Sequence, residues 1–151
     1  MIRKIAFFFI TFCFIWLWLY AGLMKLHDYR DFKFQLGQSP YVFKFANPLS
    51  VLLPIGEILI AVALIWNRSR LLGLYLSFFL MLVFTGYIYS MLHYSYFIPC
   101  SCGGIFGKMS WNAHLRFNII ATICAFLAIL LDGGYDAKSS SYQLTLLKRF
   151  E

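Results

Sequence analysis

The sequence predicts an all-α fold: an integral membrane four-helix bundle with a short surface helix in the first extracytoplasmic loop. Three observations carry that prediction. Of the 151 residues, 62% are apolar and 21% aromatic, and only 13% are charged, where ordinary globular chains are about 45–50% apolar and about 25% charged. The apolar residues gather into four windows of about 20, the length that crosses a hydrocarbon core of about 30 Å at about 1.5 Å per residue. Basic residues collect in the gaps between windows. In a water-soluble chain a net charge of +7 would point to nucleic acid. Here it is explained by orientation in an anionic bilayer, so the expected partner is membrane lipid and no nucleic acid.

The first span covers residues 5–24 ("IAFFFITFCFIWLWLYAGLM") and holds no charge. The basic start "MIRK" also suits a signal peptide, but the apolar run is too long and no small-x-small cleavage site follows, so it is read as a span. The loop "HDYRDFKFQLGQSP" places Asp28 as an N-cap, Asp31 three residues on and Gly37 at a stop. Tyr29, Phe32 and Leu36 then share one face of a short helix lying along the membrane surface. The second span, residues 48–66, opens with Asn47 as cap and Pro48 in first position, and carries one charge, Glu57. The third covers residues 71–92. The fourth covers 113–131, with Ser110 or Asn112 as N-cap and His114 and Arg116 in its first turn. Residues 1–131 thus form the bundle. Residues 132–151 are a cytoplasmic polar tail with a short amphipathic end, "LTLLKRFE". Aromatic residues such as Trp16, Trp18 and Tyr20 read as core and interface packing.

Four spans put both termini on one side and the two long loops on the other. Seven basic residues fall on the terminal side and six on the loop side. Density decides the sign: Arg68 and Arg70 share one tight gap, and Arg3 and Lys4 directly precede the first span. The termini are therefore expected in the cytoplasm of a multi-pass inner-membrane protein. Cys100 and Cys102 then face outward, where disulfides persist. Cys13 and Cys124 both lie about 12 Å in from the cytoplasmic side; they can meet across the bundle, but a thiol in lipid packs as a small apolar group.

Cysteines at i and i+2 can be bridged, because α-carbons about 5.5–7 Å apart overlap the disulfide range of about 4.4–6.8 Å. So small a ring gains little from loop closure, and strained, exposed disulfides exchange readily. In "PCSCGG", Pro99 stiffens the approach while Gly103 and Gly104 leave the sulfurs open. Positive charge from Lys108, Arg116, His93 and His114, and the start of the fourth helix, favours thiolate. Two other readings stand beside exchange: a glycine-rich turn with a permanent bridge, and a copper or zinc site of both cysteines with His93 and His114.

Glu57 sits near the bilayer midplane, where a carboxylate costs about 2.5–3.5 kcal/mol on insertion scales and needs a partner or a proton. Pro54, one turn earlier, frees the carbonyl of Ser50 and opens a polar pocket beside the acid. Glu57 is then either a proton acceptor or polar anchor for a quinone-like ligand, or a protonated acid bonded to Ser77, Thr85, Tyr87 or Ser90 of the third span.

Taken in order, "AGLMKL" with Lys25, "DFKFQLGQSP", "PIGE" with Pro54 and Glu57, and "PCSCGG" resemble the DoxX-like membrane family, specifically its redox-associated MauE branch in bacteria. The resemblance spans nearly the whole chain. It implies a small four-helix bundle associated with disulfide formation in exported proteins, similar in architecture to the membrane part of vitamin K epoxide reductases. It implies Cys100 and Cys102 as the catalytic, exchanging pair. Glu57, Lys25 and, from beside the cysteine loop, His93 are expected to form a proton or ligand pocket. One departure matters: the reductase pattern uses Cys-x-x-Cys with a second cysteine pair in the first outer loop, whereas this chain has Cys-x-Cys and no cysteine from Lys25 to Asn47. An extracytoplasmic thioredoxin-like partner would supply the missing step. The rival expectations are a non-enzymatic subunit that stabilises a larger envelope complex, and a carrier of a lipophilic ligand near Glu57.

Overall fold

The computed structural model describes residues 2–95 and 110–147, with side chains described to residue 132. It is all-α, and no strand occurs among the described residues. Helix α1 covers Ile2–His27, α2 Tyr29–Gln38, α3 Ala46–Ile65, α4 Arg70–Tyr94 and α5 Trp111–Leu147, with a 3₁₀ turn at Phe43–Phe45 before α3. Among the described residues, four stretches are long and apolar enough to cross a membrane: Ile2–His27, Phe43–Ile65, Arg70–Tyr94 and Trp111–Asp132.

The four long helices close a ring: α1 packs on α3, α3 on α4, α4 on α5, and α5 returns to α1. Successive spans cross in alternate directions, so α1 and α3, α3 and α4, and α4 and α5 are antiparallel. Inside, Phe7, Phe14, Trp18, Leu64, Leu74 and Met81 form a continuous apolar core. Helix α5 meets it with Ala121, Ala125 and Ala128, spaced i, i+4, i+7 on one face. Small residues there let the helix backbones approach, which is how helices associate when lipid leaves no hydrophobic drive between them. Outside, Phe9, Trp16, Leu52, Leu59, Phe79 and Ile120 are exposed. In water such faces would aggregate; here they are the surface for acyl chains.

Helix ends differ from expectation in instructive places. Ser110 caps α5 as expected, its Oγ accepting the Ala113 N–H at 3.3 Å. Helix α3 begins at Ala46, so Pro48 is its third residue rather than its first. The exchange is neutral, because the first four amides of a helix have no acceptor within it. Asp28 stands at the start of α2 but makes no side-chain cap bond; its carboxylate instead pairs with His27 Nδ1 at 2.8 Å. Gly37 lies inside that helix, which ends one residue later at Gln38, with Ser39 as C-cap donating its N–H to the Leu36 carbonyl. The backbone of the polar tail continues α5 as helix to Leu147.

Candidate functional site

The site begins with a glycine. A β-carbon on Gly22 would lie 2.8 Å from Ile58 Cγ1 and 3.0 Å from the Pro54 carbonyl oxygen, so only glycine lets α1 press against α3 here. That contact sets the register of two antiparallel helices. Lys25 lies one turn beyond Gly22 on α1, and Glu57 one turn beyond Pro54 on α3. Side chains lean toward the N-terminus of their own helix, so in an antiparallel pair these two lean toward each other. The Lys25 ammonium bonds Glu57 Oε1 as a buried ion pair.

Glu57 is fully buried, and the Lys25 side chain keeps 16% of its exposure. Two further helices close on the cation: Phe32 of α2 and Phe84 of α4 present rings 5.8 and 5.6 Å from Nζ, within cation–π range. One ammonium therefore joins four helices. The other carboxylate oxygen, Oε2, is buried and has no hydrogen-bond partner among the described residues.

Above the pair lies a mainly apolar cavity of about 240 Å³, walled by α1, α3, α4 and the start of α5, with α2 across its end. Trp18, Phe84, Tyr87, Trp111 and Phe117 supply aromatic wall; Gln35, Lys25, Glu57, His114 and Asn118 supply the polar groups. Helix α2 is fastened at both ends. The Tyr29 hydroxyl meets Ser50 Oγ of α3 at 3.1 Å, and Tyr87 of α4 donates to Ser39 Oγ at 2.9 Å, while Phe32 between them is 5% exposed. At the inner wall, Trp18 Nε1 donates to Ser77 Oγ at 2.9 Å, and Ser77 donates onward to the Gly73 carbonyl.

The expected residues therefore divide. Lys25 and Glu57 come together. His93 does not join them: it is exposed on α4, stacked on Tyr89 with ring centroids 4.2 Å apart, and His114 is the histidine in the cavity wall. The expected bonding of Glu57 to the third span is corrected. Ser77 serves Trp18, Thr85 donates to the Met81 carbonyl and meets Thr122, Tyr87 serves Ser39, and Ser90 offers its carbonyl to Tyr41. A nearby cation satisfies a carboxylate better than a neutral hydroxyl. Ser50 donates to the Asn47 carbonyl, and Pro54 is buried against α1. Cys13 and Cys124 are both free thiols, Cys13 on the outer surface and Cys124 against the core. Cys100 and Cys102 lie outside the described residues. Among the described residues no three metal-ligating side chains converge. Phe32, Phe84 and His114 were not expected in a pocket with Glu57. For Phe32 the signal was in the sequence, since the shared face of the surface helix had to cover something.

Searches of curated proteins and of solved structures find no match. The family described as "Methylamine utilisation protein MauE" matches residues 3–131, a stretch that holds the glycine contact, the ion pair and every helix around the cavity, and the chain belongs to that family.

Proposed function

We propose that this multi-pass membrane protein supports thiol/disulfide exchange on exported proteins, in the service of methylamine utilisation, through Cys100 and Cys102 at the extracytoplasmic face of the bacterial inner membrane. On this reading it stands with the DoxX-like proteins it resembles. One observation supports it most: the segment that carries both cysteines joins the end of α4 to the start of α5, and residues of both helices, Phe84, Tyr87, Trp111 and His114, wall the cavity above the ion pair. The two helices that the cysteine segment connects thus both border the cavity of the buried charge pair.

A client thiolate attacks the Cys100–Cys102 disulfide, and a mixed disulfide forms. The client's second thiol resolves it, leaving an oxidised client and a reduced pair. Two electrons and two protons then leave to an extracytoplasmic thioredoxin-like partner in its disulfide form, because the first outer loop has no cysteine to carry them further.

The test replaces Cys100 and Cys102 by Ser and follows both client thiols, by alkylation and gel shift, and assembly of the larger envelope complex that serves methylamine utilisation. The expected result is reduced client with the protein still in the membrane. Normal client disulfides with normal assembly would sink the proposal. Normal disulfides with lost assembly would assign the cysteine loop to a structural subunit instead.

A further inference from the structure

We propose that the cavity beside Lys25 and Glu57 binds a neutral, single-ring lipophile carrying a hydroxyl group, with the hydroxyl donating to Oε2 of Glu57. The site is independent of the exchange chemistry: either can fail while the other holds.

Size, polarity and charge each narrow the ligand. An apolar cavity of about 150 Å³ takes up benzene; this one, at about 240 Å³, has room for a substituted ring. Its wall is mostly apolar and rich in aromatic side chains, including Trp18, Phe84 and Phe117, which suits ring against ring. The polar requirement comes from Glu57. It is fully buried, it lines the cavity, and its Oε2 lacks a donor among the described residues. A buried acceptor left unpaired is costly, so the site favours a molecule that brings an O–H.

Charge excludes the obvious alternative. An aromatic wall beside a carboxylate is also how a protein takes an alkylammonium. Here the Lys25 ammonium already neutralises that carboxylate and already lies over Phe32 and Phe84. A second cation would remain uncompensated in a mainly apolar cavity, and an anion would meet Glu57. A neutral donor satisfies Oε2 and leaves the pair intact.

The experiment uses the full chain in lipid nanodiscs, with empty nanodiscs as partition control, and fluorine NMR of three probes: para-(trifluoromethyl)phenol, its methyl ether, and the matching benzylammonium. The expected result is saturable binding of the phenol, on the order of tenfold or more tighter than the ether, as one hydrogen bond to a charged acceptor gives. The ammonium should not compete. Two variants locate the site. Ala21→Phe, on the cavity wall but outside the ion pair, should abolish saturable phenol binding; Glu57→Gln should weaken it about tenfold, as a neutral acceptor replaces a charged one. If Glu57→Gln does not fold, the phenol–ether difference and Ala21→Phe still decide. Equal affinity for phenol and ether, no saturable phenol binding, competition by the ammonium, or wild-type binding in folded Ala21→Phe would each overturn the proposal.

Discussion

Among the described residues, two cations lie over pairs of aromatic rings, one toward each end, and they do different work. Lys25 sits over Phe32 and Phe84, which come from two other helices, and is bonded to Glu57 from a third. Arg70, at the end where α3 turns into α4, sits 5.0 and 5.7 Å from the rings of Phe7 and Phe8 on α1, and its guanidinium bonds Asn67 in the adjoining turn. Both contacts have the same local chemistry. What separates them is that Lys25 neutralises a fully buried carboxylate, whereas Arg70 has no carboxylate against it among the described residues. A cation with no carboxylate against it can lean on rings alone; one bonded to a fully buried acid is committed.

The largest expected effect breaks that commitment. Lys25→Met leaves Glu57 buried and unpaired, a loss of about 3 kcal/mol or more by the usual cost of removing one partner from a buried pair. Adding Glu57→Leu should restore most of it, because two apolar side chains satisfy each other where one charge cannot. Unfolding of the two single variants, the double variant and the parent in mixed SDS micelles gives the coupling. Additive losses would mean that the pair is not a unit and that the contrast with Arg70 is one of degree.

Next in size is the glycine that lets the pair meet. Gly22→Ala sets a β-carbon against Ile58 and the Pro54 carbonyl, and overpacking of this kind costs about 1–3 kcal/mol. Gly56→Ala, on the neighbouring helix with nothing within 4 Å, should be neutral or stabilise by up to about 1 kcal/mol through helix propensity. The same unfolding assay compares them; equal effects would show that α1 and α3 can separate without cost and that Gly22 does not set the register.

The reason the bundle was legible in the sequence and its site only partly so is physical. Spans of 20 apolar residues, the parity of four crossings, the Ser110 cap and the face shared by Tyr29, Phe32 and Leu36 are local or periodic properties, and they survive folding. Lys25 and Glu57 each stood out alone, one in a motif and one as a charge in lipid. That they bond each other depends on how closely α1 meets α3, and that distance is decided by the missing β-carbon of Gly22, which no periodicity records. The same gap explains the misplaced partners of Glu57. Ser77, Thr85 and Tyr87 were suitable chemically and committed elsewhere: Ser77 and Thr85 close bonds onto carbonyls one turn back in α4, and Tyr87 reaches to Ser39. His93 was expected in the pocket from its nearness in sequence to the cysteines. On the helix, His93 stacks on Tyr89 one turn away, and His114, at the start of the next span, is the one that turns inward.

The smallest effect tests the other side of the comparison. Arg70→Met removes the charge over Phe7 and Phe8 while keeping a long apolar side chain against them. An interfacial cation–π contact is worth about 0.5–1 kcal/mol. Because Arg70 Nε is buried without a partner among the described residues, methionine also removes one unsatisfied donor, and the two terms oppose each other. The net loss should therefore fall below about 1 kcal/mol in the unfolding assay, with phenol binding in the distant cavity unchanged. A loss as large as that of Lys25→Met would show that the Phe7 and Phe8 contact fixes α1 as firmly as the ion pair does, and the division between a committed and an uncommitted cation would have to be given up.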